Sequence, residues 1–143
     1  PRAGRQRGNA PADALLVSLA VKQSYGDVLD RITILEIKVA RIPNAEKREH
    51  AARELQVLEQ SWAAAGLPDK LPERALLTQV NTLLWEVEDK LREREAATDF
   101  GPGFVCDARS VYQINDQRAA LKNRVNLALG SDLVEVKSYH GDR

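Results

Sequence analysis

The chain has 143 residues, 43% apolar and 29% charged, with Lys plus Arg equal to Asp plus Glu at 21 each. That length fits one domain with its own hydrophobic core and no metal or disulfide staple, and the composition is globular rather than disordered. A net charge of zero removes the long-range field that draws a protein to DNA, RNA or an anionic membrane, no apolar run is long enough to cross a bilayer, and a single cysteine, Cys106, excludes an intramolecular disulfide and a Cys-rich zinc site.

Residues 1–14, with Arg2, Arg5 and Arg7 among Gly and Pro, read as a flexible basic arm, and residues 15–143 as a single helical domain. Leu15, Val17, Leu19 and Val21 alternate with other residues over a run too short for an independent helix, which suggests a strand. Ser24, three residues before Asp27, has the spacing of a capping box, so a first helix is expected from Tyr25 to Arg41, stopped by Pro43. Asn44 is placed to cap a second helix with the stripe Ala51, Leu55, Leu58 and Trp62, ended by Gly66 and Pro68. Pro72 suits the first turn of a third helix, whose Leu77, Val80, Leu84, Val87 and Leu91 follow a heptad. After Gly101-Pro102-Gly103 a fourth helix is expected from about Phe104 to Leu129, closed by Gly130. Leu133 to Tyr139 alternates again as a second short strand. The fold class is therefore mainly α: an antiparallel bundle of about four helices with short connections, and a small sheet formed by the N- and C-terminal segments.

No glycine-rich phosphate loop, nucleophile elbow or His-Glu-x-x-His pair is present, so no catalytic residue, metal or cofactor is assigned. The informative residues are polar ones at positions where helical spacing calls for apolar ones. Arg118 lies among Val111, Ile114, Leu121 and Val125, and Glu36 among Leu29, Ile32 and Val39. Both are expected in the core, paired with each other, because a buried charge without a partner is prohibitively costly. The alternative is a small pocket for an anionic ligand, which Asn115, Asp116 and Lys122 would join, although spacing alone leaves those three solvated. Trp85 has Thr78, Asn81, Glu88, Asp89 and Arg92 at its helical offsets, away from the Leu/Val stripe. An indole there calls for a cover, first a subunit or partner interface, then a terminal segment, and last a sugar or nucleobase. Cys106, with no base assignable to it, is expected to be a buried structural thiol, and His50 and His140 surface residues.

The string from Tyr25 to Lys38, followed by Ala40-Arg41-Ile42, resembles the opening signature of an uncharacterised bacterial family catalogued as a domain of unknown function. Asn81 to Asp89, Asp99-Phe100-Gly101-Pro102, Ser110 through Lys122, and Val134 to Tyr139 agree with it, so the resemblance spans about Leu15 to Tyr139. Members of that family are associated with genes for surface-polysaccharide and lipopolysaccharide glycosyltransferases, which implies a role near envelope glycan assembly. No established catalytic residue comes with the resemblance. The matched positions Asp30, Glu36, Lys38, Trp85, Asn115 and Arg118 form the candidate ligand- or partner-binding set.

The leading expectation is a non-enzymatic, self-associating helical module in the cytoplasm, without a membrane span, whose partner is a glycosyltransferase or other envelope-assembly protein. One alternative is a small enzyme resembling the all-α chorismate mutases, in which Arg118, Lys38 and Glu36 would bind a dicarboxylate, although the first helix departs from that family's pattern of arginines and lysines. The other is nucleic-acid binding through the Arg2 to Arg7 arm, which the zero net charge opposes.

Overall fold

A computed structural model of the protein describes residues 18–133, Val136 and Ser138. It contains four helices, α1 (Tyr25–Arg41), α2 (Ala45–Ala64), α3 (Pro72–Ala96) and α4 (Pro102–Leu129), and among the described residues there is no strand. The caps follow the sequence. Ser24 Oγ accepts from the Asp27 amide at 3.1 Å, Asn44 Oδ1 accepts from the Lys47 amide at 2.9 Å, and Gly130 closes α4 in the left-handed region. The fourth helix begins two residues earlier than expected, because Pro102 is suited to an N-terminal turn in which its missing amide costs nothing. The expected terminal sheet is not formed by the described part of its segments; residues 15–17, 134, 135, 137 and 139 lie outside it. Leu19 and Val21 are instead exposed without a ladder. What joins the two ends is polar: Lys22 pairs with Asp132, and the Tyr25 amide donates to Ser131 Oγ at 3.3 Å.

The helices pack around α1, whose backbone alone approaches those of all three others. A helix covered on several sides must be apolar or internally satisfied around much of its circumference, and α1 buries Gly26, Leu29, Asp30, Ile32, Thr33, Leu35 and Ile37. The core joins Leu29 and Ile32 of α1 to Trp62 of α2, Leu77 and Val80 of α3, and Leu121 and Val125 of α4. Trp62 satisfies its indole N–H on the Pro68 carbonyl at 3.0 Å and meets the Tyr25 ring edge-on at 6.5 Å. The α3–α4 hairpin outruns this core. At 1.5 Å per residue α1 is about 25 Å long and α3 about 37 Å. The fully buried residues of α3 stop at Asn81 and those of α4 begin at Ala119. Leu84, Val87 and Leu91 of the heptad are only half-buried. At its far end the hairpin is tied by Arg94, which donates to Asp107 Oδ2 at 2.9 Å and Asp99 Oδ2 at 2.8 Å.

The tightest approach is between α1 and α4. Gly26 donates its amide to Asn126 Oδ1 at 2.6 Å, and a Cβ at position 26 would lie 2.2 Å from the Lys122 carbonyl oxygen. That neighbour is helix backbone and cannot yield without moving α4, so Gly26→Ala should cost about 3 kcal/mol by overpacking. Gly66 has φ +71° with open space around its Cβ position, so Gly66→Ala should cost only about 1 kcal/mol of left-handed strain. Urea denaturation of both variants checks the contrast; an unaltered midpoint for Gly26→Ala would contradict the close packing.

Candidate functional site

The polar residues inside the bundle converge on one carboxylate. Asp30, 5% exposed, lies on the buried side of α1 and accepts from Arg118 of α4 through both oxygens, Oδ1 from Nε at 2.8 Å and Oδ2 from Nη2 at 2.6 Å. Asn81 of α3 donates Nδ2 to Asp30 Oδ1 at 2.9 Å and to Thr33 Oγ1 at 3.0 Å, while Thr33 Oγ1 donates to the Asp30 carbonyl at 2.8 Å. Three helices thus meet at a fully hydrogen-bonded fork, the arrangement in which a buried carboxylate is tolerated. Arg118 also donates Nη1 to Asn115 Oδ1 at 3.4 Å. One turn away Lys122, whose side chain is largely buried rather than solvated as its spacing suggested, pairs with Asp27 at 2.8 Å.

The pairing expected between Arg118 and Glu36 is not formed. Glu36 pairs with Arg74 of α3, and both are partly exposed. Helical arithmetic supplies the reason: six residues separate Asp30 from Glu36, about 600° of rotation, so the two leave α1 in directions about 120° apart. Arg118 reaches only the first. Cys106 is exposed, not a buried thiol, because it sits on the outer face of α4 beyond the reach of α1. His50 is exposed as expected, and His140 lies outside the described residues.

Beside the fork opens a groove of about 410 Å³ between α1, α3 and α4. Ile34, Ile37, Leu84 and Trp85 form its apolar walls, Asn81 and Arg118 line it from the fork, and Glu88, Asp89 and Arg92 of α3 complete it. Trp85 is half-buried there and shares the lining with Ile34 and Ile37 of α1, which its own helical offsets could not reveal. A second cavity of about 420 Å³ shares Ile34 and Arg118 with the first and is lined by the pairs Asp27–Lys122 and Arg31–Glu54. Hydrogen bonds from Arg31 hold the Glu54 carboxyl below its ordinary value against an opposing desolvation, with the charges of Arg31 and Lys38 adding to the effect. Of the candidate residues, then, Asp30, Trp85, Asn115 and Arg118 gather at or behind the groove, whereas Glu36 and Lys38 are not among the residues that line it.

Sequence reasoning missed Asn81, Thr33 and Asn126, all buried. Asn81 had a signal: it stands four residues after Leu77 and three before Leu84, an amide on an apolar face. Asn126 had none, since its role is to accept from Gly26 on another helix.

Fold and site together define an all-α four-helix domain with an ion-paired polar centre and an adjoining groove; among the described residues no cluster of His, Cys, Asp or Glu is fit to hold a metal ion, and no helix is long and apolar enough to cross a membrane. Residues 19–142 match the model of a family of unknown function (DUF6165), and the chain belongs to that family. No curated protein and no solved structure matches it.

The geometry makes the two members of the central pair unequal. Arg118→Met strands a carboxylate that is 5% exposed, whereas Asp30→Leu strands a guanidinium that is 28% exposed and can still reach water. Arg118→Met should therefore cost about 3–5 kcal/mol, Asp30→Leu less, and the double variant less than Arg118→Met alone. Glu36→Gln should stay within about 1 kcal/mol. A double-mutant cycle in urea measures all four; equal effects of Arg118→Met and Glu36→Gln would contradict the assignment of Asp30 as the partner.

Proposed function

We propose that the protein is a non-enzymatic helical interaction module, self-associating in the bacterial cytoplasm, that serves a glycosyltransferase or another component of envelope polysaccharide and lipopolysaccharide assembly. The observation that carries this reading is the groove at Trp85. It leaves an indole, Ile34 and Leu84 half-buried at an open groove, while Arg118 at its inner end and Lys122 beside the fork are committed to carboxylates of α1. A binding surface has that construction: an apolar contact area on a rigid polar support. The chemistry of an all-α dicarboxylate-binding enzyme asks for cations directed at a ligand. Here Arg118 is engaged on two of its nitrogens by Asp30, Lys122 by Asp27, and Lys38 stands outside the groove's lining. The link to envelope glycans comes from the family resemblance of the first-helix string. Self-association has its support in Leu83, Phe100, Val105 and Tyr112, which the α3–α4 hairpin leaves about half exposed.

Two measurements test the reading. In a strain lacking the gene, the lipopolysaccharide and surface-polysaccharide profile should change; the parent gene should restore it, and Trp85→Ala should not, at equal protein level and with a melting temperature within a few degrees of the parent. Full restoration by Trp85→Ala, or an unaltered profile in the deletion strain, overturns it. Sedimentation equilibrium should return at least twice the chain mass of 15.9 kDa, falling to one chain for Val105→Lys with Tyr112→Lys. A single-chain mass for the parent at every concentration removes self-association.

A further inference from the structure

The lining of the Trp85 groove specifies more than an apolar contact. Its charged residues balance: Glu88 and Asp89 against Arg92 and Arg118. An anion entering it meets two carboxylates, and the guanidinium at its inner end already has Nε and Nη2 on Asp30. A cation that stacks on the indole meets Arg92 on the same helix and Arg118 behind it. Neither sign is favoured, so electrostatics selects a neutral occupant. The hydrogen-bonding groups are nonetheless mixed and plentiful. Asn81 spends its Nδ2 on Asp30 and Thr33, which leaves Oδ1 as an acceptor on a side chain that lines the groove. Glu88 takes Arg92 on Oε2 at 2.6 Å and has Oε1 left, and Asp89 is exposed with no ion pair among the described residues. Arg92, exposed on α3, supplies N–H donors. A purely apolar occupant, such as the leucine-rich face of a partner helix, would bury these groups without satisfying them, at a cost for each.

The occupant that answers both halves has a flat face of C–H groups for the Trp85 indole and an equatorial fringe of hydroxyls that both donate and accept. We infer that the Trp85 groove binds a neutral sugar ring, stacked on the indole with its hydroxyls on Asn81, Asp89 and Glu88. This inference rests on reading the groove as the module's binding site and adds the chemical class of what it takes. The ring comes either from a glycan or from the sugar half of a nucleotide sugar; the recognising chemistry is the same.

Nuclear magnetic resonance of the full chain tests it, because the sequence holds two tryptophans, and the buried Trp62, with its N–H on Pro68, is an internal reference. Titration with methyl α-glucoside, methyl α-galactoside, N-acetylglucosamine and rhamnose should move the Trp85 indole and the amides of Leu84 and Glu88 saturably for at least one sugar, and leave the Trp62 indole in place. Trp85→Phe should weaken that binding about tenfold, Trp85→Ala abolish the amide shifts, and Asp89→Ala, an exposed position with no fold to lose, weaken it at least threefold. UDP-glucose and UDP separate the sources: shifts from the free sugars identify a glycan ring, and shifts from UDP-glucose with UDP silent identify a nucleotide sugar. Shifts produced equally by UDP, by acetate or by methylammonium alone, or by none of the probes, overturn the proposal. If Trp85→Ala still fails to restore the surface profile in that event, the groove remains the binding site and only the ligand class falls.

Discussion

A carboxylate cannot stay ionised inside a small helical bundle unless something of opposite charge is brought to it, and Asp30 imposes that condition on the whole molecule. Its two oxygens are met by a guanidinium from α4 and an amide from α3, so neither helix can slide along α1 without stranding a charge or an amide. Apolar packing tolerates small shifts of register because methyl groups are interchangeable. A bidentate fork is not. Asp30 on Arg118, Asp27 on Lys122 and Gly26 on Asn126 form a descending series that fixes α1 and α4 as antiparallel neighbours and sets how closely they cross.

The groove is a by-product of the same arrangement. Where α1 and α3 meet, the space that aliphatic side chains fill elsewhere in the bundle is taken by the Asp30, Thr33 and Asn81 network. Ile34, Ile37, Leu84 and Trp85, at its margin, are outside the fully buried core cluster of Leu29, Ile32, Leu77 and Val125. Ile34, Leu84 and Trp85 are half-buried at the open groove, whereas Ile37 is buried.

Local rules made most of the fold legible. Ser24, Asn44, Pro72 and Gly130 each act on their own helix within a turn, so both ends of α1, the starts of α2 and α3 and the end of α4 could be read directly, as could the burial of Leu77, Val80, Trp62 and Val125. The same spacing argument singled out Arg118 as a charge on an apolar stripe. It failed on the partner, because spacing along one helix says nothing of which side of that helix another one will occupy. Glu36 falls among apolar neighbours whereas Asp30 has Asp27 and Thr33 at its helical offsets, and only the placement of α4 shows that Asp30 is the partner. Asn126 was missed and Lys122 misjudged for the same reason: each is defined by what a distant helix brings to it. Of the terminal segments only residues 18–21, Leu133, Val136 and Ser138 are described, and none of these is in a strand, since alternation over a few residues does not itself supply a second strand to pair with.

The distance along the chain between the two halves of the fork has a consequence for biosynthesis. Asp30 and Arg118 are 88 residues apart, and at about 5–20 residues per second that interval takes roughly 4–18 s to translate. Throughout it the Asp30 carboxylate of α1 is without the guanidinium that it pairs with in the folded bundle. The ordering of synthesis therefore runs against the ordering of stability, with the central helix first out and last secured. Such a chain gains from whatever holds nascent apolar surface apart until α4 has left the ribosome, and a ribosome stalled within α4 would present the bundle open at its centre.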